Sequence, residues 1–241
     1  MNCQLLFDCL RKLNSSGPDG FEGLIAQLFE ALTGRHFLLA KPGYQAGRDM
    51  STSPIGTNRI AVECKRYLTG TSLSERELLG ELVQVSFNIP ELDLWVVVAT
   101  RNVGDQLQDL VSQEARSKGF EALIIDTEVD ARSSFSSLAV LCAHAPEIVI
   151  SFIQRNSPDA NIEKLKDILS FISSQQGYPN RIDDLRGSLS SPAIGFDNLR
   201  HNQNEWLLTR FQSESESHAA FGQVLNVSDQ DVRLIERLKA W

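Results

Sequence analysis

The sequence predicts an α/β domain over residues 1–155, in which helices flank a mixed sheet, followed by an α-helical segment over residues 156–241. Three observations support this prediction. Short apolar runs rich in β-branched residues recur in the first half of the chain, and segments with helical periodicity separate them. After Asn156-Ser157-Pro158-Asp159 the pattern becomes helical throughout. Strands that alternate with helices of this length are typical of a sheet covered by helices on both faces.

The first elements are two helices and a strand. Residues 4–13 form an amphipathic pattern that predicts a short helix, and the turn Gly17-Pro18-Asp19-Gly20 ends it. Apolar residues then recur at steps of three and four from Phe21 onward, which predicts a helix that ends at Gly34. The apolar stretch 36–40 predicts the first strand.

Strands and helices alternate in the middle of the chain. Glycine and proline interrupt the region before 59–65, which reads as a short alternating strand. A helix is expected over 73–88, and its buried side should carry Leu78, Leu79, Leu82, Val83 and Val85. Three further elements follow: a buried strand over 94–99, a helix over 104–117 and a strand over 120–125.

The C-terminal segment is expected to contain four helices, over 161–173, 180–189, 197–212 and 228–239. Gly177-Tyr178-Pro179 and Ser190-Ser191-Pro192 separate the first three, and Ser228 and Asp231 are spaced as in a capping box. This change to a purely helical pattern places the predicted domain boundary between residues 155 and 156.

Composition restricts the class of protein. The net charge of -8 argues against a protein that coats nucleic acids in general, because phosphate binding depends on clusters of Lys and Arg. Residues 1–70 nevertheless hold eight Lys or Arg against six Asp or Glu. The four cysteines include no Cys-x-x-Cys pair, which argues against a disulfide framework or a structural zinc site and suits a reducing cytoplasm. No apolar run approaches the roughly 20 residues that span a bilayer, so we expect a cytoplasmic protein without a membrane segment.

Three acidic residues and a lysine form the candidate site. Glu63 and Lys65 are two apart on a predicted strand, so both side chains should leave the same face while Cys64 points to the other. Asp49 lies in a Gly-x-Asp turn at the expected end of a preceding strand, and a hairpin would bring it to Glu63. Glu22, near the start of the helix that begins at Phe21, is able to reach the same place if that helix packs along the sheet edge.

Converging carboxylates of this kind predict a bound cation. Unpaired carboxylates at close quarters repel and raise one another's pKa, whereas a metal ion neutralises them. Hard oxygen ligands with room for water select Mg²⁺ or Mn²⁺. Such an ion would stabilise charge on a phosphate and activate a water molecule, which Lys65 would orient or help to deprotonate.

The segments Phe21-Glu22, Gly47-Arg48-Asp49 and Val62-Glu63-Cys64-Lys65-Arg66-Tyr67 together resemble the Mrr-type branch of the PD-(D/E)xK nucleases, which also includes archaeal Holliday-junction resolvases. The resemblance covers about residues 15–125. It implies a restriction-endonuclease-like fold, a magnesium cofactor and hydrolysis of phosphodiester bonds in DNA. It further implies that the metal is bound by Asp49, Glu63 and the backbone carbonyl of Cys64, with Glu22 as an additional acid and metal ligand. By the same resemblance, Lys65 is the catalytic lysine and Gln84 is a helix glutamine near the site.

Four basic residues surround this proposed site: Lys41, Arg48, Arg59 and Arg66. Each is a candidate for holding DNA phosphates, and for each a solvated surface charge is an equally good interpretation. For Glu63 and Lys65 the alternative is a surface ion pair, with Asp49 serving only to form a turn. The alternatives for the whole chain are a structure-selective junction or repair nuclease, and a catalytically inactive DNA-binding or interaction module.

The C-terminal segment resembles the helical connector that, in some bacterial defence proteins, joins an Mrr-like nuclease to a STAND-type NTPase sensor. The resemblance rests on the helical pattern of 191–241 and on Gly195-Phe196-Asp197-Asn198. It implies that a C-terminal sensor follows this chain, and that the nuclease works as a homo-oligomer, a dimer or tetramer, in antiphage defence. No P-loop motif Gly-x-x-x-x-Gly-Lys-[Ser/Thr] occurs in the chain itself.

Overall fold

The computed structural model of the protein describes residues 3–40, 47–52, 59–68, 73–89, 91–129 and 134–190. Its helices and strands in chain order are α1 (Gln4–Lys12), α2 (Phe21–Thr33), β1 (Phe37–Leu39), β2 (Met50–Thr52), β3 (Ile60–Lys65), α3 (Glu75–Asn88), β4 (Leu94–Ala99), α4 (Asp105–Ser117), β5 (Glu121–Ile125), α5 (Ser137–His144), α6 (Pro146–Asn156), α7 (Ile162–Ser173) and α8 (Tyr178–Ser190). The helices predicted over 197–212 and 228–239, and the connector resemblance over 191–241, lie outside the described residues.

The strands form one five-stranded sheet in the order β1-β2-β3-β4-β5. β1 and β2 are antiparallel, as are β2 and β3, whereas β3, β4 and β5 run parallel to one another. Parallel neighbours require crossover connections, and the helices α3 and α4 supply them. The prediction of an α/β fold with a mixed sheet flanked by helices is thereby confirmed for the described residues.

Two hydrophobic clusters lie on opposite faces of the sheet. Ile60 and Val62 of β3 contribute to the larger cluster, together with α1, α2 and α5 to α8. Ala61, between them, packs instead into the smaller cluster with α3 and α4. Because neighbouring side chains on a strand leave opposite faces, Glu63 and Lys65 follow Ala61 onto the α3 side and Cys64 packs toward the larger cluster.

The helix α2 begins and ends where the sequence predicts. Its apolar residues are buried along one face, and Gly34 closes it with φ 68°, the left-handed conformation that favours glycine. This helix carries Glu22 in its first turn. A rigid, buried helix thus positions one of the candidate acids.

Asp49 differs from its predicted placement. It was expected at the end of a strand, but it directly precedes β2, whose residues Met50 and Ser51 pair with Val62 and Ala61. In an antiparallel hairpin the start of the first strand lies beside the end of the second. Asp49 therefore reaches Glu63 because it begins β2; at the end of that strand it would lie near Arg59.

Two helices between β5 and residue 156 have no counterpart in the sequence prediction. Six consecutive residues of α5, Leu138 to Ala143, are buried, so the helix has no polar face and its sequence no amphipathic period. α6 begins with Pro146 in its first turn, and its axis is bent by 97° from that of α5. No single helix among the described residues is long and apolar enough to cross a membrane.

The helices α7 and α8 belong to the same core as the residues before them. Leu165, Leu169 and Ile172 of α7 and Leu189 of α8 are buried in the larger cluster, where α5 packs against both helices. The predicted boundary between residues 155 and 156 thus falls within α6, before its last residue, and α6 itself contacts α7.

Candidate active site

Backbone pairing holds Asp49 against β3. Its N–H donates to the carbonyl of Val62 (2.8 Å), and its own carbonyl accepts from the N–H of Ala40 (2.7 Å). The carboxylate is buried and its Oδ2 accepts from the N–H of Cys64 (2.6 Å). The side chain thereby takes the place of a strand carbonyl, which fixes the carboxylate at the end of β3.

Gly47 allows the segment before Asp49 to lie against α3. Its φ is 79°, and a Cβ there would stand 2.6 Å from the Glu81 carbonyl oxygen and 2.9 Å from the Val85 nitrogen. The carbonyl of Gly47 also accepts from Trp95 Nε1 at 3.4 Å. Because the neighbouring atoms belong to a helix backbone, only glycine fits without displacing α3.

Glu63 and Lys65 form an ion pair, with 3.0 Å between Glu63 Oε1 and Lys65 Nζ. Both side chains are nearly buried, with exposed fractions of 9% and 11%. The alternative interpretation, an ion pair on the surface, does not describe this contact, because both side chains are largely removed from water. The two residues share one face of β3, as the spacing predicts.

Two further acids approach Lys65 from α3. Glu77 Oε1 lies 3.3 Å from Lys65 Nζ, and Glu81 Oε1 also forms an ion pair with it. The second oxygen of Glu81 is buried and has no hydrogen-bond partner among the described residues. Neither acid stands out in the sequence, because glutamates four residues apart on a helix usually form a solvated face.

Glu22 reaches the site from the first turn of α2. Its Oε2 accepts from the N–H of Gly17 (3.1 Å), and its side chain shares a hydrogen bond with Asp49. A hydrogen bond between two carboxyl groups requires one proton; this bond raises the pKa of Glu22 and lowers that of Asp49, which makes Glu22 the donor. The structure thus brings together all four residues that the sequence predicts, Glu22, Asp49, Glu63 and Lys65.

Burial and mutual repulsion raise the pKa values of these carboxyl groups. Burial, followed by repulsion from Asp49 and Glu81, raises the pKa of Glu63 to about 8 in spite of Lys65. Burial, followed by the charge of Asp49 and the shared hydrogen bond, raises the pKa of Glu22 to about 7, although the N–H of Gly17 opposes the shift. Burial raises the pKa of Asp49 too, against the N–H of Cys64 and the charge of Lys65.

Lys65 behaves in the opposite way. Burial alone would lower the pKa of its ammonium group, but attraction to Glu63 and Glu81 outweighs burial and raises the pKa above its usual range. The lysine therefore keeps its proton at neutral pH and supplies the positive charge among the carboxylates.

The donor chemistry of the site fits a hard divalent cation. Asp49, Glu63 and Glu22 offer carboxylate oxygens; burial above all raises their pKa values, repulsion adds to the shift for Glu63 and Glu22, and a cation would offset both effects. Within the described residues, however, no three Asp, Glu, His or Cys side chains are arranged to hold a metal ion. Lys65 takes the neutralising role in this arrangement, so a bound metal would require these side chains to close around it.

The remaining predicted residues lie in varied environments. Gln84 is on α3 but exposed, whereas Glu81, one turn earlier, is the residue that reaches Lys65. Arg59 forms an ion pair with Glu91 (2.6 Å), and Arg66 donates from Nη1 to the Arg11 carbonyl (2.8 Å). Arg48 is partly buried beside Asp49. Lys41 lies outside the described residues, and the predicted metal contact of the Cys64 carbonyl stays a prediction.

Comparison of the chain with protein-family models, with curated proteins and with solved structures finds no match in any of the three. A function for the chain therefore has to be inferred from the chemistry of the site itself.

Proposed function

We propose that this chain is a metal-dependent endonuclease of the PD-(D/E)xK kind, which hydrolyses phosphodiester bonds in DNA. The proposal rests on one observation above all. Asp49, anchored on the N–H of Cys64, lies beside Glu63, and Lys65 leaves the same strand face two residues later. Two carboxyl groups and one ammonium group thus lie at the same end of β3, which supports the proposal.

Each residue has a separate role in the proposed reaction. A bound Mg²⁺ or Mn²⁺ would polarise the scissile phosphate and lower the pKa of an attacking water. Asp49 and Glu63 would hold the cation, and Glu22 supports Asp49 through their shared hydrogen bond. The buried environment strengthens all of these electrostatic contacts, since little water is present to screen them.

Lys65 acts as a charge and not as a base. Its raised pKa and its contacts with Glu63 and Glu81 support a role in orienting a phosphate oxygen or the attacking water. Of the two roles that the sequence suggested for this lysine, orientation is thus favoured over deprotonation. A positive charge beside the scissile phosphate also stabilises the transition state.

Cleavage of supercoiled plasmid tests this proposal. Wild-type protein is expected to nick or linearise the plasmid with Mg²⁺ or Mn²⁺ but not with EDTA. Lys65→Ala and Asp49→Ala should each lower the cleavage rate at least about a hundredfold, the typical cost of removing one transition-state contact. Lys166→Ala, on the exposed face of α7, is the matched control and should cut like the wild type. Metal-dependent cutting retained in both Lys65→Ala and Asp49→Ala would refute the assignment.

An inactive DNA-binding module is the second candidate. Two observations favour it. The ammonium group of Lys65 already neutralises the carboxylates that would bind a metal ion, and no three side chains among the described residues are placed to bind one. Calorimetric titration with Mg²⁺ and Mn²⁺ separates the two proposals. Binding that is lost in Asp49→Ala supports the nuclease, and no binding by the wild type supports the inactive module.

We further propose, from the sequence resemblance alone, that the cellular role is antiphage defence or restriction and that activity depends on homo-oligomer formation. A structure-selective junction or repair nuclease is the alternative role. It would cut a four-way DNA junction faster than a linear duplex of the same sequence, whereas a defence effector would cut linear duplex at least as fast.

A further inference from the structure

The end of α1 is docked on the sheet directly next to the candidate active site. The carbonyl of Lys65 accepts from the N–H of Thr100, so the ends of β3 and β4 are tied together (3.0 Å). Arg11 Nε donates to the carbonyl of Thr100 (3.0 Å). Arg66 Nη1 in turn donates to the carbonyl of Arg11 (2.8 Å). These bonds join the last turn of α1 to the residues that follow β3 and β4.

This docking gathers basic residues from three segments of the chain. Arg11 and Lys12 end α1, Arg66 follows β3, and Arg101 follows Thr100 at the end of β4. We call these four residues the basic edge. Lys12 is exposed, and the other three are partly exposed. The basic edge begins at the residue directly after Lys65.

The positive charge of the basic edge is only partly neutralised. Arg11 pairs with Asp8 at 3.0 Å, but Lys12, Arg66 and Arg101 have no ion pair within the part of the chain that the structure describes. By contrast, Lys166 pairs with Glu163 on its own helix, and Lys118, directly after α4, pairs with Glu114 of that helix. Backbone hydrogen bonds hold Arg11 and Arg66 in place, so the clustered charges persist although they repel one another.

We propose that the basic edge binds the phosphate backbone of the DNA substrate next to the scissile bond. This inference rests on the proposed nuclease function and identifies the surface through which the site holds its substrate. The carboxylates of the site repel DNA, so an adjoining source of positive charge is needed to retain the strand. A phosphate bound at Lys65 has neighbours along the DNA strand, and the basic edge adjoins the same end of β3, since Arg66 directly follows Lys65 and contacts Arg11.

Lys12 and Arg101 are the best probes of the basic edge, because neither takes part in the backbone ties that Arg11 and Arg66 make. The double variant Lys12→Ala/Arg101→Ala is compared with Lys118→Ala/Lys166→Ala, which removes the same charge from elsewhere. Anisotropy of a fluorescein-labelled DNA duplex is measured in EDTA over a range of salt concentrations. The slope of log K against log salt should fall by about 1 for each cation removed from the edge and remain unchanged in the control.

The same variants are then assayed for plasmid cleavage with Mg²⁺. The edge variant should show a raised KM for DNA with little change in kcat, because it loses binding that is equal in ground and transition states. Lys12→Glu reverses the charge of an exposed side chain and leaves Arg101 in place. This variant gives a second, independent measurement and should also weaken DNA binding relative to the wild type.

The outcomes separate this inference from the proposed function. An edge variant that binds DNA with the wild-type slope, while the wild type still cuts plasmid, overturns the basic edge and leaves the nuclease intact. Binding that depends on the edge in a protein that never cuts supports the edge and overturns the nuclease. A wild type that neither binds nor cuts DNA overturns both.

Discussion

Glu63→Gln is expected to stabilise the metal-free protein, and increasingly so as the pH rises. The pKa of Glu63 is raised from 4.5 to about 8 in the folded protein. A carboxyl group whose pKa is raised by folding binds more protons in the folded state than in the unfolded state. Its contribution to the free energy of unfolding is therefore fully present below the unfolded pKa and is lost as the pH rises from about 4.5 to about 8.

The size of the effect follows from the two pKa values. Because folding raises the pKa of Glu63, ionisation of this residue lowers the free energy of unfolding by about 1 kcal/mol at pH 5 and about 3 kcal/mol at pH 7, relative to a neutral side chain with the same contacts. Glutamine keeps the size and an acceptor oxygen for Lys65. Glu63→Gln should thus raise the free energy of unfolding by about these amounts at the two pH values.

Urea denaturation followed by circular dichroism, in EDTA at pH 5 and pH 7, measures this difference. Glu77→Gln is the matched control, because it also removes a partner of Lys65 but its side chain is 51% exposed. We expect the control to change stability by less than about 1 kcal/mol at either pH. If Glu63→Gln is no more stable than the wild type at pH 7, or if its gain in stability does not grow from pH 5 to pH 7, folding does not raise the pKa of Glu63.

Three further predictions concern the metal, the loop and the core. Mg²⁺ binding at pH 6 should release protons, because Glu63, with a pKa of about 8, and Glu22, with a pKa of about 7, are both largely protonated there without metal. Titration calorimetry in buffers of different ionisation enthalpy measures this release, and a buffer-independent heat would contradict it. Gly47→Ala should destabilise the fold by about 2 kcal/mol or more, since φ is 79° and the α3 backbone is in the way. Gly80→Ala, on α3 with nothing within 4 Å of the added Cβ, should instead stabilise it by about 0.5–1 kcal/mol in the same denaturation assay. Leu169→Ala should lower the free energy of unfolding by about 2–5 kcal/mol, in a single transition, because α7 shares the core. A separate transition at lower urea concentration would show that α7 unfolds independently. Phe171→Ala, whose side chain is 39% exposed, is the control.

The amphipathic elements were predictable from the sequence. α2 was recognised with its end at Gly34, because the apolar period of a half-buried helix and a left-handed glycine cap are both local signals. β4 was recognised at its observed limits, since the run from Leu94 to Ala99 is apolar throughout and bounded by polar residues. The shared face of Glu63 and Lys65 follows from the alternation of a strand and needed no tertiary information.

Other features depend on contacts between distant segments. α5 carries no periodic signal because neighbouring helices surround it. Glu81 becomes a partner of Lys65 only because the chain folds α3 over β3, and an acidic helix residue gives no local sign of such a contact. The placement of Asp49 before β2 was missed because three residues are too short a strand to show a pattern.

Residue type and local spacing are enough to establish the α/β class, the principal helices and strands and the identity of the candidate acids and lysine. Where those groups meet, and which of them carry a proton, depends on contacts between distant segments. The antiparallel pairing of β2 with β3 brings Asp49 to Glu63, and the packing of α3 brings Glu77 and Glu81 to Lys65. The raised pKa values likewise arise from burial and from charges far apart in the chain, which no local pattern specifies.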